Sequence, residues 1–554
     1  MVKIFKPLVL AALAVALFGG IGVQSAEYPK PGDSCSTLAK LGVWTWYQDS
    51  RTVYYHGTQD KTYVGYFATG KNPGAAAIAS YDHTSGKIDT FYLKTNFGWD
   101  DHNTTTVHVL PNGHIITFYS QHNGASWYSR ISTDPEDITS WGAEKTVNVG
   151  CTYPNVCQLS AEGANGNRLY LFFRGPSTET GDFGMPYYQT SDDGGVTWSA
   201  ATRYFFGGTS TVGGGIRPYC KYVSNGKDRI YMLIEGDNRN NPPPKPTYFM
   251  YYYNGGFYKM NGTLIATTAQ DKAFPITTGQ VDTVYNPASP PDGLKGTIGT
   301  GWDVALDSDG YPVFVYDIYD PSGANHRYYY YRWDGTKWNH YFLVNSGGPM
   351  TENGAEVGFA GGLCLDHANP SIVYLSTHVN GGFELQRWVT LDKGASWTRW
   401  DITANSGASK NCRPIVPRNT PGGKIDVVWN CGLYASYATA PITMDVKYFT
   451  FDSTKISSGI TYAGRRFERR APKETGFNLL ADGLSFTLSS SSSSSLRIYN
   501  IEGRLASDLT SNVRRMQAGV NAIQYKLPGL THGAYIARLF DGAHYYSQSF
   551  VVQR

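Results

Sequence analysis

Short runs of apolar and aromatic residues recur along most of the chain, and turn-forming residues separate them. Clear examples are residues 63–67, 168–173 and 312–316. Runs of this length bounded by turn residues indicate β-strands, and no stretch shows the spacing of a long amphipathic helix. The hydrophobic pattern therefore predicts an all-β protein built from many short strands.

Two segments share one turn signature. Residues 191–198 read Ser-Asp-Asp-Gly-Gly-Val-Thr-Trp and residues 390–397 read Thr-Leu-Asp-Lys-Gly-Ala-Ser-Trp, while residues 132–141 and 333–338 are degenerate candidates. In such a turn the Asp accepts backbone N–H groups, Gly takes a positive φ, and Trp packs beneath. The segments resemble the Asp-boxes of bacterial neuraminidase-type repeats. The resemblance implies a β-propeller, and we expect seven four-stranded blades within residues 27–473.

Composition supports a large β-protein and excludes some partners. The 554 residues suit one large domain and a small one, and 14% aromatic residues with 62 Gly suit strands, tight turns and carbohydrate-facing surfaces. The net charge of +3 gives no field for nucleic acid or membranes. Any functional basic residue must therefore act locally.

Both ends of the chain indicate export. Residues 1–26 read as a signal peptide, because Lys3 and Lys6 precede an apolar run that is short for a membrane span. No later segment is apolar enough to cross a bilayer. Residues 474–554 contain further strand patterns around a serine run, 489–495, which reads as a loop inside that domain or else as a linker. They resemble the small C-terminal β-sandwich sorting domains of Bacteroidetes and Fibrobacter-like bacteria. The resemblance implies a secreted or cell-surface bacterial protein that meets secretion machinery or the cell surface.

The seven cysteines leave several arrangements open. Export permits disulfides, and Cys151 with Cys157 is the favoured local pair. The odd number leaves at least one thiol free or makes some of them metal ligands. Cys364, His367, Cys412 and Cys431 could supply a zinc site, although buried thiols or a disulfide fit the loose spacing better. We expect no cofactor for the chemistry, and a structural zinc or calcium ion as the alternative.

Candidate chemistry lies at the ends of one predicted hairpin. Asp100-Asp101-His102-Asn103 precedes a strand, a Pro-Asn-Gly turn and a second strand, and Gln121-His122-Asn123 follows. Two histidines placed in this way can meet at one rim of a β-protein. Histidine is the side chain best suited to proton transfer near neutral pH.

Residues 44–51, the Asp100–His122 unit, 217–222 and 411–414 resemble the BNR-4 repeat family, and the resemblance spans residues 40 to 440. That family includes ulvan lyases and related seven-bladed lyases and rhamnosidases acting on rhamnose–glucuronate linkages. In the ulvan lyases two histidines, spaced much like His102 and His122, line the active cleft with an arginine and a tyrosine. The resemblance implies catalytic roles for His102, His122, Arg217 and Tyr204, with Tyr187, Tyr188 or Tyr219 as alternative tyrosines. Residues expected to bind substrate are Tyr219, Trp46, Arg174 and Arg413.

A lyase of this kind removes the C5 proton of a uronic acid and expels the sugar linked at O4. Arg217 is the natural neutraliser of the uronate carboxylate, since a guanidinium fork matches a carboxylate. His102 is the first choice as base or acid, and His122 could assist neutralisation or orient the substrate. Structural roles compete with these assignments, because a strand-end histidine, a buried Trp46 or an Arg217 before proline can simply stabilise the fold.

Several functions stay open. The favoured one is a secreted lyase acting on an acidic, ulvan-like polysaccharide. An α-L-rhamnosidase-like hydrolase would need a carboxylate pair, for which Asp100, Asp101 and Glu235 are available. A non-catalytic glycan-binding propeller is the third option, and a sialidase ranks last because its F/Y-R-I-P stretch is missing. Residues 235–240 replace a segment in which the resemblance predicts a further histidine, which leaves the substrate specificity open.

Overall fold

The computed structural model describes residues 35–451 and part of the chain beyond them. Gaps in the first range are 72, 179, 212–214, 239–242, 269–273, 352–355, 380 and 438–442. The later described residues are 460–462, 478–480, 483–486, 494–500, 504–511, 523–526, 530, 533–540 and 545–552. The predicted signal peptide, 1–26, and most of the serine run lie outside the described residues.

Five separate sheets of four to six strands follow one another along the first two thirds of the chain. Strand β1 is Cys35–Ala39. The first sheet contains β2 (Gly42–Val43), β3 (Thr52–His56), β4 (Asp60–Ala68), β5 (Ala75–Asp82) and β6 (Ile88–Thr95). The second contains β7 (Thr105–Val109), β8 (Ile115–Ser120), β9 (Trp127–Ile131) and β10 (Lys145–Val147). The third contains β11 (Thr152–Leu159), β12 (Arg168–Arg174), β13 (Pro186–Ser191) and β14 (Thr202–Arg203).

The fourth and fifth sheets continue this order. Two short strands pair in parallel outside the fourth sheet: β15 (Phe205–Phe206) comes before its first strand, and β21 (Ile276–Thr277) comes before its last strand. A 3-10 turn over Thr278–Gln280 follows β21. The fourth sheet contains β16 (Tyr219–Ser224), β17 (Arg229–Glu235), β18 (Thr247–Tyr253), β19 (Gly256–Tyr258), β20 (Leu264–Thr267) and β22 (Asp282–Tyr285). The fifth contains β23 (Ile298–Leu306), β24 (Pro312–Tyr319), β25 (His326–Trp333) and β26 (Trp338–Gly347).

A nine-stranded sheet closes the series. It contains β1 with β27 (Leu363–Leu365), β28 (Ile372–Val379), β29 (Gly382–Val389), β30 (Trp397–Asp401), β31 (Lys410–Ile415), β32 (Val427–Leu433), β33 (Thr443–Phe449) and β34 (Ile460–Tyr462). Strand β1 pairs antiparallel with β33, and Cys35 lies opposite Phe449. The beginning of the described chain thus completes the sheet formed by its far end.

The inner strands form a ring. Strand β3 contacts β7, and contacts continue from β7 to β11, β16, β23, β27 and β31. A backbone bridge between Val53 and Arg418 returns the ring from the end of β31 to β3. The prediction of an all-β, propeller-like fold is confirmed, whereas the blade count of seven stays a prediction.

Residues 44–51, here called the axial segment, run buried along the inside of this ring. Trp46 stacks on Trp302 with ring centroids 4.1 Å apart. Asn155 of β11 donates to the Tyr47 carbonyl and accepts from the Asp49 amide, and Lys221 of β16 pairs with Asp49. The segment therefore closes the axis of the ring with aromatic rings and a buried ion pair, while Thr45 Oγ1 and Gln48 Oε1 are buried without a hydrogen-bond partner among the described residues.

The two complete Asp-boxes have the predicted geometry. Asp193 accepts from the amide and hydroxyl of Thr197, and Asp392 accepts in the same way from Ser396. The glycines Gly195 and Gly394 have φ values of 93° and 110°. Both Asp-boxes connect the third and fourth strands of a four-stranded unit, so they are structural turns away from the ring axis.

Two small sheets follow near the C-terminus. They contain β35 (Asn478–Leu480), β36 (Gly483–Phe486) and β39 (Ile523–Lys526), and β37 (Ser495–Asn500), β38 (Leu505–Asp508), β40 (Gly533–Phe540) and β41 (Tyr545–Val552). Arg538 of β40 pairs with the Asp-box residue Asp392 at 3.2 Å. The predicted domain boundary at residue 473 stays a prediction. Within the described part of the chain, no helix has the length and apolar character that a membrane span requires.

Candidate active site

The hairpin of β7 and β8 brings the two predicted histidines to one place. Thr105 lies opposite Tyr119 in the antiparallel register, so the residues before β7 and after β8 meet at the same end. Asn103 holds the two loops together, because its side chain accepts from the His122 amide and donates to the Phe97 carbonyl. Asn103 therefore fixes the positions of the two loops that carry His102 and His122.

The rings of His102 and His122 are stacked. Their centroids are 4.0 Å apart and their planes differ by 2°. Asp100 lies against both rings, with its Oδ1 2.5 Å from His102 Nδ1 and its Oδ2 2.9 Å from His122 Nδ1. Each ring therefore turns Nδ1 toward the same carboxylate and leaves Nε2 facing away from it.

The two histidines have opposite pKa shifts. Burial by itself lowers the pKa of His102, but the charge of Asp100 and hydrogen bonds to Asp100 and Asp101 outweigh it and raise the pKa to about 9. Burial and the charge of His102 lower the pKa of His122 to about 4 despite its bond to Asp100. At neutral pH the pair therefore contains one imidazolium and one neutral imidazole.

A second carboxylate, that of Asp101, contacts His102. Asp101 is fully buried, and its Oδ1 lies 3.0 Å from His102 Nδ1. Its Oδ2 accepts from Arg413 at 2.5 Å and from the Tyr434 hydroxyl at 2.7 Å. The prediction that Arg413 binds substrate is wrong, because this guanidinium is 1% exposed and is used to hold Asp101.

Arg174 lies close enough to His122 for its positive charge to contribute to the lowered pKa of His122. It lies over the rings of Tyr153 and Tyr219, at 5.2 and 5.3 Å from their centroids. Its Nη2 donates to Asn123, and it forms no ion pair with a carboxylate among the described residues. Arg174 is 5% exposed. It therefore carries a buried positive charge beside His122 that is not paired with a carboxylate among the described residues.

Tyr219 and Arg217 lie at the same end of the ring. The Tyr219 ring is 5.8 Å from Tyr153, which in turn is 5.4 Å from His102. Arg217 is half-buried, its amide donates to Asp237, and its guanidinium lies 4.9 Å over the ring of Phe183, which is 40% exposed. The structure therefore places the predicted residues His102, His122, Arg174, Tyr219 and Arg217 around one end of the axis.

Tyr437 is a site residue that the sequence did not reveal. Its ring makes edge contacts with His102 and His122, at 5.1 and 5.9 Å between centroids, and it is half-buried. Burial and the charge of Asp100 raise the pKa of Tyr437, whereas the charge of Arg217 acts to lower it. No motif marks this tyrosine, since it reaches the pair from the loop after β32, far along the chain.

Two aromatic predictions are wrong. Tyr204 is fully buried between sheets, where its hydroxyl bonds to Tyr222 at 2.7 Å, so it cannot touch a substrate. Burial raises the pKa of Tyr204 well above its usual value. Trp46 is 1% exposed against Trp302 and belongs to the core rather than to a sugar-binding surface.

The disulfide and zinc predictions for the cysteines are wrong, whereas the alternative of buried free thiols agrees with the structure. Cys151 and Cys157 are both free thiols, because β11 extends between them and six extended residues span roughly 20 Å, far more than a disulfide allows. The proposed zinc ligands do not converge either. Cys364 and Cys412 belong to different core clusters, Cys431 faces away from Cys412 on the neighbouring strand, and His367 lies against Asp303.

The described residues offer a different metal-binding group. The ligand atoms of Asp100, His102 and His122 lie within 4.8 Å of one another. Carboxylate and imidazole ligands suit zinc and similar ions. An ion here would replace the protons by which both rings bind Asp100, so metal binding and proton transfer would exclude each other.

Comparison with known proteins assigns a family and a general fold. A family model described as a BNR repeat-containing family member, BNR_4, matches residues 61–346. No curated protein matched the sequence. Among solved structures, polysaccharide lyase Uly1 is 13% identical with a TM-score of 0.47, covering 77% of this chain and 100% of that one. The α-L-arabinanase of Penicillium chrysogenum is 14% identical with a TM-score of 0.38, covering 75% and 98%. The Aleuria aurantia lectin is 12% identical with a TM-score of 0.37, covering 69% and 99%. At such low identities and TM-scores these structures carry no argument about the reaction.

Proposed function

The chain belongs to the BNR repeat-containing family, and we propose that it is a polysaccharide lyase that cleaves uronic-acid-containing glycans by β-elimination. Glycans of the ulvan type, with rhamnose–glucuronate linkages, are the proposed substrates. The observation that carries the proposal is the stacked pair of His102 and His122 on one carboxylate. Its pKa values, about 9 and about 4, supply an acid and a base side by side.

Elimination first requires neutralisation of the substrate carboxylate, because only then is the adjacent C5 proton acidic enough to leave. Arg174 is the residue we assign to this role, since it is buried next to His122 and lacks a carboxylate partner among the described residues. Its Nη2 is held by Asn123 and Thr152, and its Nη1, which has no hydrogen-bond partner among the described residues, is left to donate to the uronate carboxylate. Arg217, the residue predicted from the sequence for this role, lies beside Phe183, and we assign it to an adjoining sugar of the polysaccharide.

Neutral His122 is the proposed base. Its Nδ1 carries the proton donated to Asp100, which leaves the lone pair on Nε2 for the C5 proton. The C5–H electron pair then forms the C4–C5 double bond, and the C4–O4 bond breaks. Protonated His102, with Nδ1 bound to Asp100, donates its Nε2 proton to the leaving oxygen. The products are an unsaturated uronate and a free hydroxyl group.

The same geometry favours a lyase over a hydrolase. A hydrolase of the usual kind needs two carboxyl groups facing the scissile bond. Asp100 binds two imidazoles, and Asp101 is fully buried against Arg413. Glu235 is 3% exposed and accepts from the Tyr47 hydroxyl and the Gly301 amide. These carboxylates are already engaged in structural contacts.

The proposal also covers the number of blades and the export of the chain. We group the sheets into seven blades by counting β27–β30 and β31–β33 with β1 as separate four-stranded units. A secreted or surface-attached bacterial enzyme, exported by residues 1–26 and sorted by residues 474–554, would meet acidic polysaccharides outside the cell. The chemistry proposed needs no metal.

The decisive experiment incubates the purified chain with ulvan and other uronate-containing glycans and follows the ultraviolet absorbance of unsaturated uronate. We expect absorbance to rise with the native chain, and not with His122→Ala or His102→Ala. His56→Ala is the matched control, because the side chain of His56 is 73% exposed and lies away from the site. Release of free rhamnose without an absorbance change would instead establish a hydrolase, and binding without any product would leave a lectin-like protein.

A further inference from the structure

A cavity opens at the end of the ring axis opposite to the pair of His102 and His122. It measures about 580 Å³, within the roughly 300–1,000 Å³ typical of sites for small ligands. Its walls come from the last residues of β7, β11 and β16 and from the loops after β27 and β31. The histidine pair lies instead where β7 and β11 begin. The axial segment separates the two ends, and its residue Asp49 lines this cavity.

Basic side chains outnumber carboxylates in and just behind the lining of this cavity, here called the axial pocket, where Asp49 and Arg418 are the charged lining residues. Lys221 and Arg51 both lie against Asp49, at 2.7 and 3.4 Å, and Arg418 lies 3.6 Å from Asp303. Two histidines also line the cavity: His108 bonds to Gln158 at 2.8 Å, and His367 contacts Asp303 at 3.1 Å. Burial and the charges of Arg418 and Lys221 hold the pKa of His367 well below its usual value, so it is neutral. Three cations thus face two carboxylates.

Arg418 is the cation left without a hydrogen-bonded acceptor. Its Nη1 is buried and unbonded, and no side-chain hydrogen bond from its guanidinium occurs among the described residues. Asp303 cannot provide one at 3.6 Å, since its oxygens already accept from the amides of Val304 and Leu365 and contact His367. A guanidinium has five N–H donors, and buried donors are normally satisfied. The Arg418 guanidinium can therefore donate hydrogen bonds to an oxyanion bound in the pocket.

The mouth of the pocket suits a hydroxylated ring. Asn167 and Asn419 are exposed there, and their side chains form no hydrogen bond among the described residues. Tyr55, Val53 and Val109 supply an aromatic and apolar wall on one side. A sugar ring presents apolar C–H faces to such a wall and hydroxyl groups to amides.

We propose that the axial pocket is a second binding site, which takes a small sugar acid with its carboxylate on Arg418 and its hydroxyl groups on Asn167 and Asn419. The site is independent of the proposed elimination. It requires no turnover, and it lies at the other end of the axis from Arg174.

The test measures the binding of sodium glucuronate to the full chain by isothermal titration calorimetry. Arg174→Gln removes the guanidinium beside the histidines, and we expect saturable binding of one glucuronate to persist in this variant. Adding Arg418→Gln to it should weaken binding at least about tenfold, the loss expected for a charge-assisted hydrogen bond. Arg418→Lys, which keeps the charge without the fork, should weaken it less.

Controls separate binding in the axial pocket from binding elsewhere on the chain. Arg418→Gln should keep the native melting temperature and polysaccharide turnover. If that variant does not fold, Asn167→Ala and Asn419→Ala at the exposed mouth replace it and should weaken binding. The proposal is overturned if glucuronate does not bind to Arg174→Gln, if binding is indifferent to Arg418 and both asparagines, or if inorganic phosphate or neutral glucose binds equally well.

Discussion

Replacing Asp100 by asparagine tests the origin of the acid–base pair most directly. Asp100 is the carboxylate that both histidines share, and its charge is the main influence raising the pKa of His102 above the ordinary value of 6.5. Asparagine keeps the size and one acceptor oxygen but removes the charge. We therefore expect the pKa of His102 to fall from about 9 to 6.5 or below.

The expected size follows from that shift. A change of about 2.5 pKa units corresponds to about 3 kcal/mol between the two protonation states of His102. At pH 8 the protonated fraction falls from about nine tenths to about 3%, so kcat/KM should drop about 30-fold through this effect alone. At pH 5.5 both forms of the enzyme keep His102 protonated, and the loss from this cause should vanish.

The assay is the pH profile of kcat/KM, followed by unsaturated-uronate absorbance, with NMR titration of the His102 ring. The native profile should be bell-shaped with limbs near pH 4 and pH 9, and Asp100→Asn should move the alkaline limb to 6.5 or below. Asp309→Asn, an exposed turn position, serves as the control. An unmoved alkaline limb, or a loss of equal size at every pH, would refute the reasoning.

Further predictions concern binding, stability and metal ions. Arg174→Lys should lower kcat/KM by about tenfold or more, since lysine has only one nitrogen and cannot bind Asn123 and Thr152 while also donating to the substrate as a guanidinium does; an unchanged value contradicts the assignment. Tyr204→Phe should leave kcat/KM unchanged and cost about 1 kcal/mol of unfolding free energy, measured by urea denaturation, because only the buried hydrogen bonds of its hydroxyl to Tyr222 and Cys220 are lost. The raised pKa of His102 stabilises the fold fully below pH 6.5, so unfolding free energy should decline toward pH 9 in the native chain and less in Asp100→Asn. Zinc chloride should inhibit by displacing the protons on Asp100, His102 and His122, whereas EDTA should have no effect.

Local features of the fold and site could be predicted from the sequence. The Asp-box turns depend on residues within eight positions of one another, and their hydrogen bonds formed as expected. His102 and His122 belong to one hairpin, so their spacing was enough to place them together. Both cases rest on short-range geometry that period-two patterns and turn residues encode.

Contacts made by ring closure could not be predicted. Arg413 reaches Asp101 across 312 positions, and Tyr437 arrives from a loop that no motif marks. The family resemblance implied a catalytic role for Tyr204, but a resemblance in sequence does not show which tyrosine is buried between two sheets. Arg174 was identified only as a substrate-binding residue, since its lack of an acidic partner is a property of the folded chain.

The pairing of β1 with β33 has a consequence for how the chain is made. Lys447 bonds to Thr37 across 410 positions, so the last sheet of the ring cannot form until almost the whole propeller has been synthesised. At about 5–20 residues per second, roughly 20–80 s separate the appearance of the two strands at the ribosome. During that time β1 remains an unpaired strand and the ring remains open. The closing contact therefore makes folding of the ring a late event, in which the earliest strand waits for its partner.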